Sequence, residues 1–157
     1  MRTRLAIAAL ALLLPAPTIA QNSAPPAVPD LSYAVPVPGS WSWSGTAGSS
    51  EAVFSDSAGR PQLWLRCTRA TRRIAVVKPA SAAAASLLVW SSSLARHVPA
   101  TFNATAAQLT AELAANDPLL DALATSRGRI AFGVTGQPAL VVPAWAEPVR
   151  VMEDCRI

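Results

Sequence analysis

One histidine, one tyrosine, two cysteines and two methionines are all this chain offers of the residues that carry most metal, redox and acid–base chemistry. The lone histidine, His97, has no second imidazole to share a metal with, and two cysteines add too little for a zinc site. Serines are plentiful, but none sits in a G-x-S-x-G elbow, so no hydrolase triad is announced around His97. His97 is read instead as an exposed residue near a strand end. Charged residues make up only 14% of the sequence. The adjacent pair Glu153–Asp154 does not offer the facing carboxylates of a glycosidase. Asp56 suits a turn and Asp117 a helix cap. No glycine-rich loop is placed to cradle a phosphate. The expectation is a protein that is not an enzyme, with no cofactor and no metal.

Long apolar runs are also missing, with one exception at the N-terminus. Arg2 and Arg4 precede an uncharged stretch from Leu5 to Leu14, then Pro15, Pro17 and the small residues before Gln21. This is the pattern of a signal peptide covering 1–20, and the run falls short of the about 20 apolar residues that span a bilayer. Removing it takes away two arginines and no acid, so a net charge of +4 becomes +2. A balance so small gives no footprint for nucleic acid. No membrane span is expected after cleavage, and the mature protein is expected to be periplasmic or secreted. Residues 21–38 are rich in proline and read as a linker, disordered or extended, in which Tyr33 to Val37 could instead dock as an edge strand. Residues 39–157 form a single domain.

The strongest strand signal in that domain is Arg60 to Cys67. Leu63, Leu65 and Cys67 alternate with Gln62, Trp64 and Arg66, and Pro61 stands at the start, where a missing N–H costs least. Asp56 to Arg60 has turn chemistry, so Glu51–Asp56 and Pro61–Cys67 read as a hairpin. In an oxidising compartment Cys67 and Cys155 are expected to pair. Two free thiols or an intermolecular bridge are the alternatives.

Trp41 and Trp43 share one face of a short strand, and further strands are read at Ile74–Lys78 and Ser86–Ser92, with Ala95–Phe102 as a hairpin partner. Thr105 followed by Gln108 fits a capping box, which predicts a helix to about Asn116 with Leu109 and Leu113 on one face. Asp117–Pro118 opens a second helix carrying Leu119, Leu120 and Leu123, closed near Arg127–Gly128. Arg129–Val134 and Ala139–Val142 follow as a hairpin, then a last helix over about Val149–Cys155. The expected class is α+β: a mainly antiparallel sheet, two to three short helices in the C-terminal half, and one disulfide.

The stretches DPLLDALATSRGRIAFGV (117–134) and LVVPAWAEPVRVMEDC (140–155), with LWLRC upstream, resemble small exported proteins of Gram-negative bacteria that carry no assigned function. The Trp-rich first strand, the L-x-L-x-C strand and the C-terminal cysteine are similar to periplasmic accessory proteins associated with secretion systems. The resemblance implies a β-rich exported fold and brings no catalytic residue.

Two features remain as candidate binding surfaces. Arg66, Arg69, Arg72, Arg73 and Lys78 crowd one strand connection and could face an acidic protein or envelope component, or simply be a solvated edge. Trp64 lies opposite Leu63 and Leu65, where either helices cover it or it forms an exposed platform; coverage is the expectation. The function expected is a non-catalytic exported binding or accessory module of the cell envelope. The alternative is a proteinaceous inhibitor of an extracytoplasmic hydrolase, inserting the 68–73 loop into its target.

Overall fold

The computed structural model describes residues 27–157. The signal peptide and the first residues of the linker therefore lie outside the described residues. Nine strands form one sheet: β1 Gly39–Gly45, β2 Ser49–Asp56, β3 Pro61–Thr68, β4 Arg73–Pro79, β5 Ser86–Trp90, β6 Ala95–Asn103, β7 Gln108–Ala114, β8 Ile130–Gly133 and β9 Leu140–Val142. Helix α1 spans Pro118–Ala124 and α2 spans Ala146–Asp154. The spatial order is β1-β2-β3-β4-β7-β6-β5-β8-β9, with every neighbouring pair antiparallel.

The sheet curls until its two edges nearly meet. Val37, just before β1, donates its N–H to Val141 O in β9 at 2.9 Å, and the Trp41 indole donates to Pro143 O at 2.9 Å. The alternation along each strand explains the result. Phe54, Leu63, Leu65, Ile74, Val76, Leu87, Val89, Leu109, Ala111, Leu113, Ile130, Phe132 and Val142 all enter one interior cluster. Leu119, Leu120 and Leu123 from α1, and Val151, Met152 and Cys155 from the α2 end, join the same cluster. The barrel is filled by side chains rather than hollow.

The β2–β3 hairpin follows the turn chemistry. Asp56 Oδ1 accepts from the N–H groups of Ala58 and Arg60, both at 3.0 Å, and Gly59 takes φ +76°. Those contacts, the Arg60 backbone N–H foremost, hold the Asp56 carboxyl below its ordinary range. Cys67 at the end of β3 is bonded to Cys155 just past α2, Cα atoms 5.5 Å apart and 88 positions apart in sequence.

One expected helix is a strand. Residues expected to form a helix from Thr105 to about Asn116 make a turn and then β7. Leu109 and Leu113 are four apart, a spacing that satisfies a helical face and a strand face alike. Ala111, fully buried between them, decides for the period of two. The Thr105 hydroxyl caps nothing; Asn103 Oδ1 accepts from Ala106 N at 3.1 Å, and Ala107 stands at φ 49°. The second helix forms as expected at its start: Asp117 Oδ1 accepts from Leu119 N at 2.9 Å, with Pro118 in the first turn. It ends at Ala124, short of Arg127–Gly128.

Outside the barrel, Leu88, Trp90, Ala131 and Val141 form a second apolar cluster, against which Leu31 and Ala34 pack. Arg129 donates to Ala34 O at 2.6 Å. Tyr33 and Val35 point to solvent. No helix among the described residues is long and apolar enough to cross a membrane.

Candidate functional site

The five cations that crowd together in sequence are dispersed by the fold. Arg66 lies on the outer face of β3, ion-paired with Glu51 across the β2–β3 register, its guanidinium 5.5 Å from the Trp64 ring centroid. Arg69 opens a 3-10 turn, Arg69–Thr71. It donates to Ala47 O at 3.0 Å and reaches Asp154 at 3.6 Å, mostly out of solvent, so it braces the turn against the end of α2. Lys78 is half-buried at the far end of β4, and that burial pushes its ammonium below the ordinary range. Trp64 is half-buried on the outer face. The helices do not cover it: α2 runs against the face of Leu63, Leu65 and Cys67, because the disulfide holds its end there.

Only Arg72 and Arg73 stay together, and they gain a neighbour that sequence reasoning passed over. Arg156 follows Cys155, so the disulfide delivers it to β3–β4. The three arginines line one cleft of about 500 Å³ with Thr71, Ala115 and Asn116. Arg156 is anchored by Ala115 O at 2.9 Å and Asp121 at 2.7 Å, and Arg73 reaches Glu112 at 3.3 Å. The exposed side chain of Arg72 makes no hydrogen bond or ion pair among the described residues. Its backbone is left-handed, φ 48°, ψ 45°, fixed by a bond to Arg69 O and by Ala115 N donating to Arg72 O at 2.9 Å. A non-glycine residue in that region costs on the order of 1 kcal/mol. Three guanidiniums against two carboxylates leave the cleft cationic. The only trace of this in the sequence is the proximity of Arg156 to the second cysteine.

A second cleft, of about 690 Å³, runs along the outer face of α2. Trp43 of β1, Trp145 just before α2, and Glu147, Arg150 and Glu153 of α2 line it. Arg150 lies over the Trp43 ring, 3.5 Å from its centroid. On another side the ring crosses Gly45, where an added Cβ would come within 2.6 Å of it. Trp43 Nε1 and Glu147 Oε2 are each closed off from solvent, with no hydrogen-bond partner among the described residues. Trp145 is 45% exposed.

His97 is half-buried rather than exposed, because it sits within β6 and not at its end. Its Nδ1 lies 3.4 Å from Ser86 Oγ, and Nε2 is buried with no partner among the described residues; the residue lines a crevice of about 330 Å³ with Leu31, Leu88 and Gln137. Among the described residues no acidic side chain lines that crevice to orient the Ser86–His97 contact. No group of three metal-ligating side chains gathers among the described residues.

No family model, no curated protein and no solved structure matches this chain.

Proposed function

We propose that this chain is a non-catalytic exported binding module of the cell envelope, which meets an acidic protein surface through the cleft of Arg72, Arg73 and Arg156. One observation carries the reading. Arg72 is exposed, without an ion pair among the described residues, and held in a strained backbone conformation beside two further guanidiniums. Strain of this kind persists where the surrounding structure over-determines it, and binding surfaces are one such place. The fork of a guanidinium matches a carboxylate in two parallel hydrogen bonds, which a partner's Asp or Glu would complete. The disulfide suits an oxidising, extracytoplasmic compartment.

The test uses a labelled oligoglutamate peptide and the mature protein at low salt. Binding should weaken as salt is raised, since exposed charges are screened. Arg72→Gly combined with Arg73→Gln should weaken it at least about tenfold, a loss on the scale of a charge-assisted pair. Arg66→Gln should leave it unchanged, because Arg66 is committed to Glu51. Absence of binding at low salt, or equal binding by the double variant, sinks the reading.

Inhibition of an extracytoplasmic hydrolase is the second reading, favoured by one feature. Residues 70–73 are exposed on a turn rooted at the Cys67–Cys155 bridge, the anchorage an inserted loop needs. It requires that the protein slow hydrolysis of peptidoglycan or peptide by envelope extracts, and that Ala70→Glu abolish this while the oligoglutamate result stands.

A further inference from the structure

We propose that the cleft between β1 and the outer face of α2 is a saccharide site, and that its ligand is a neutral sugar. Four observations converge, and none involves the arginine cleft. First, Trp145 exposes nearly half its surface at the cleft wall. A flat indole offers a C–H-rich sugar face a large apolar contact at little cost in side-chain entropy. Second, the Trp43 ring is immobilised between Arg150 and the backbone of Gly45, so one wall is preformed.

Third, the cleft is lined by two carboxylate side chains, Glu147 and Glu153, and the Arg150 guanidinium. Carboxylates accept and a guanidinium donates, so the lining asks for a ligand that carries both roles. Sugar hydroxyls donate and accept at once, and a row of them meets such a mixed lining without bringing charge. Fourth, charge disfavours the rival ligands. Glu147 and Glu153 outnumber Arg150, so an anion is repelled. The Trp43 face that would hold a cation is already taken by the Arg150 guanidinium at 3.5 Å. The volume, about 690 Å³, lies in the range of sites that take ligands of a few rings.

The experiment is isothermal titration calorimetry of the mature protein with chitotriose, with trilysine and triglutamate peptides as charged probes. Chitotriose should bind with a Kd of about millimolar to micromolar, and neither peptide should compete for this cleft. Trp145→Ala should abolish binding with an unchanged melting temperature, since the removed ring packs no core. Glu147→Gln exchanges an acceptor-only group for a mixed one and should weaken binding several-fold. Arg72→Gly should leave chitotriose binding intact, which separates this site from the arginine cleft. The proposal is overturned if chitotriose does not bind, if Trp145→Ala binds it equally well, or if trilysine occupies the cleft in its place.

Discussion

Along its outer face, α2 stands over Trp43 and follows Trp145; beyond its end, Arg156 enters the company of Arg72 and Arg73. The two clefts share one helix but are held in different ways. The aromatic cleft is organised by local packing: a ring clamped between a guanidinium and a glycine backbone, on residues from β1 and α2. The arginine cleft is organised by a covalent tie, because Arg156 is brought to the β3–β4 turn by the bond one residue before it. The difference teaches that a small barrel with a filled interior can still build two recesses on its rim, one by stacking and one by cross-linking.

The sharpest way to break the comparison is to cut the tie. Closing an 88-residue separation should contribute about 4–5 kcal/mol on the chain-entropy model, a large share of the about 5–15 kcal/mol that holds a domain of this size. Cys67→Ser should therefore lower the melting temperature sharply, and Cys155→Ser should match it. At temperatures where the variants remain folded, oligoglutamate binding should fall further than chitotriose binding. Equal loss at both clefts would mean that packing, not the bond, places Arg156. Two free thiols in protein purified without reductant would remove the premise.

The next largest effect comes from the helix itself. Met152 is 2% exposed and packs into the interior from the last turn of α2. Met152→Ala should cost about 2–5 kcal/mol through lost burial and an unfilled cavity. Because the residue lines neither cleft, thermal melts should drop while both ligands weaken to a similar degree. A selective loss at one cleft would show that the helix pivots rather than loosens.

Much of this architecture can be read in the sequence, and the exceptions share a cause. The β2–β3 hairpin, the disulfide and the Asp117 cap follow from local chemistry: a turn aspartate with glycine, two cysteines only, a carboxylate before proline. Strand β7 was hidden because Leu109 and Leu113 fit two periods at once, and only the sheet, by offering β4 and β6 as partners, chooses between them. The expected basic cluster dissolved for a similar reason. Neighbours in sequence along a strand point to opposite faces, so Arg66, Arg69 and Lys78 part company, while Arg156 arrives from the far end of the chain. The Trp43–Arg150 stack joins residues more than a hundred positions apart, with no sequence spacing to announce it.

A smaller perturbation tests whether α1 matters to only one end. Asp117 caps α1 through Leu119 N and also receives Arg96 at 2.6 Å. Its neighbour Asn116 lines the arginine cleft, while Ala124, at the far end of α1 from this cap, lines the aromatic one. Asp117→Ala should cost about 1 kcal/mol, mostly from the lost cap, since an exposed ion pair adds little. Denaturant titration should show that shift. Oligoglutamate binding should soften slightly, and chitotriose binding should not change.

The smallest expected effect concerns a residue at neither end. Lys78 is half-buried, and its folded-state pKa lies below the reference value of 10.5 because burial disfavours the charged form. The unfolded chain thus holds this proton more tightly than the folded one. Across the window from the folded pKa up to 10.5, stability attributable to this group rises with pH, and below that window its cost is constant. Lys78→Met removes the charge and keeps most of the stem. It should raise the melting temperature slightly at neutral pH, and the gap to the parent should narrow as pH approaches 10.5. Melts at several pH values measure both features. Binding at the two clefts should be unaffected, since Lys78 lines neither. If the variant instead melts lower at neutral pH, the ammonium has a stabilising contact that outweighs its desolvation. The far rim of the barrel would then hold a charge that the fold relies on, like the two ends of α2.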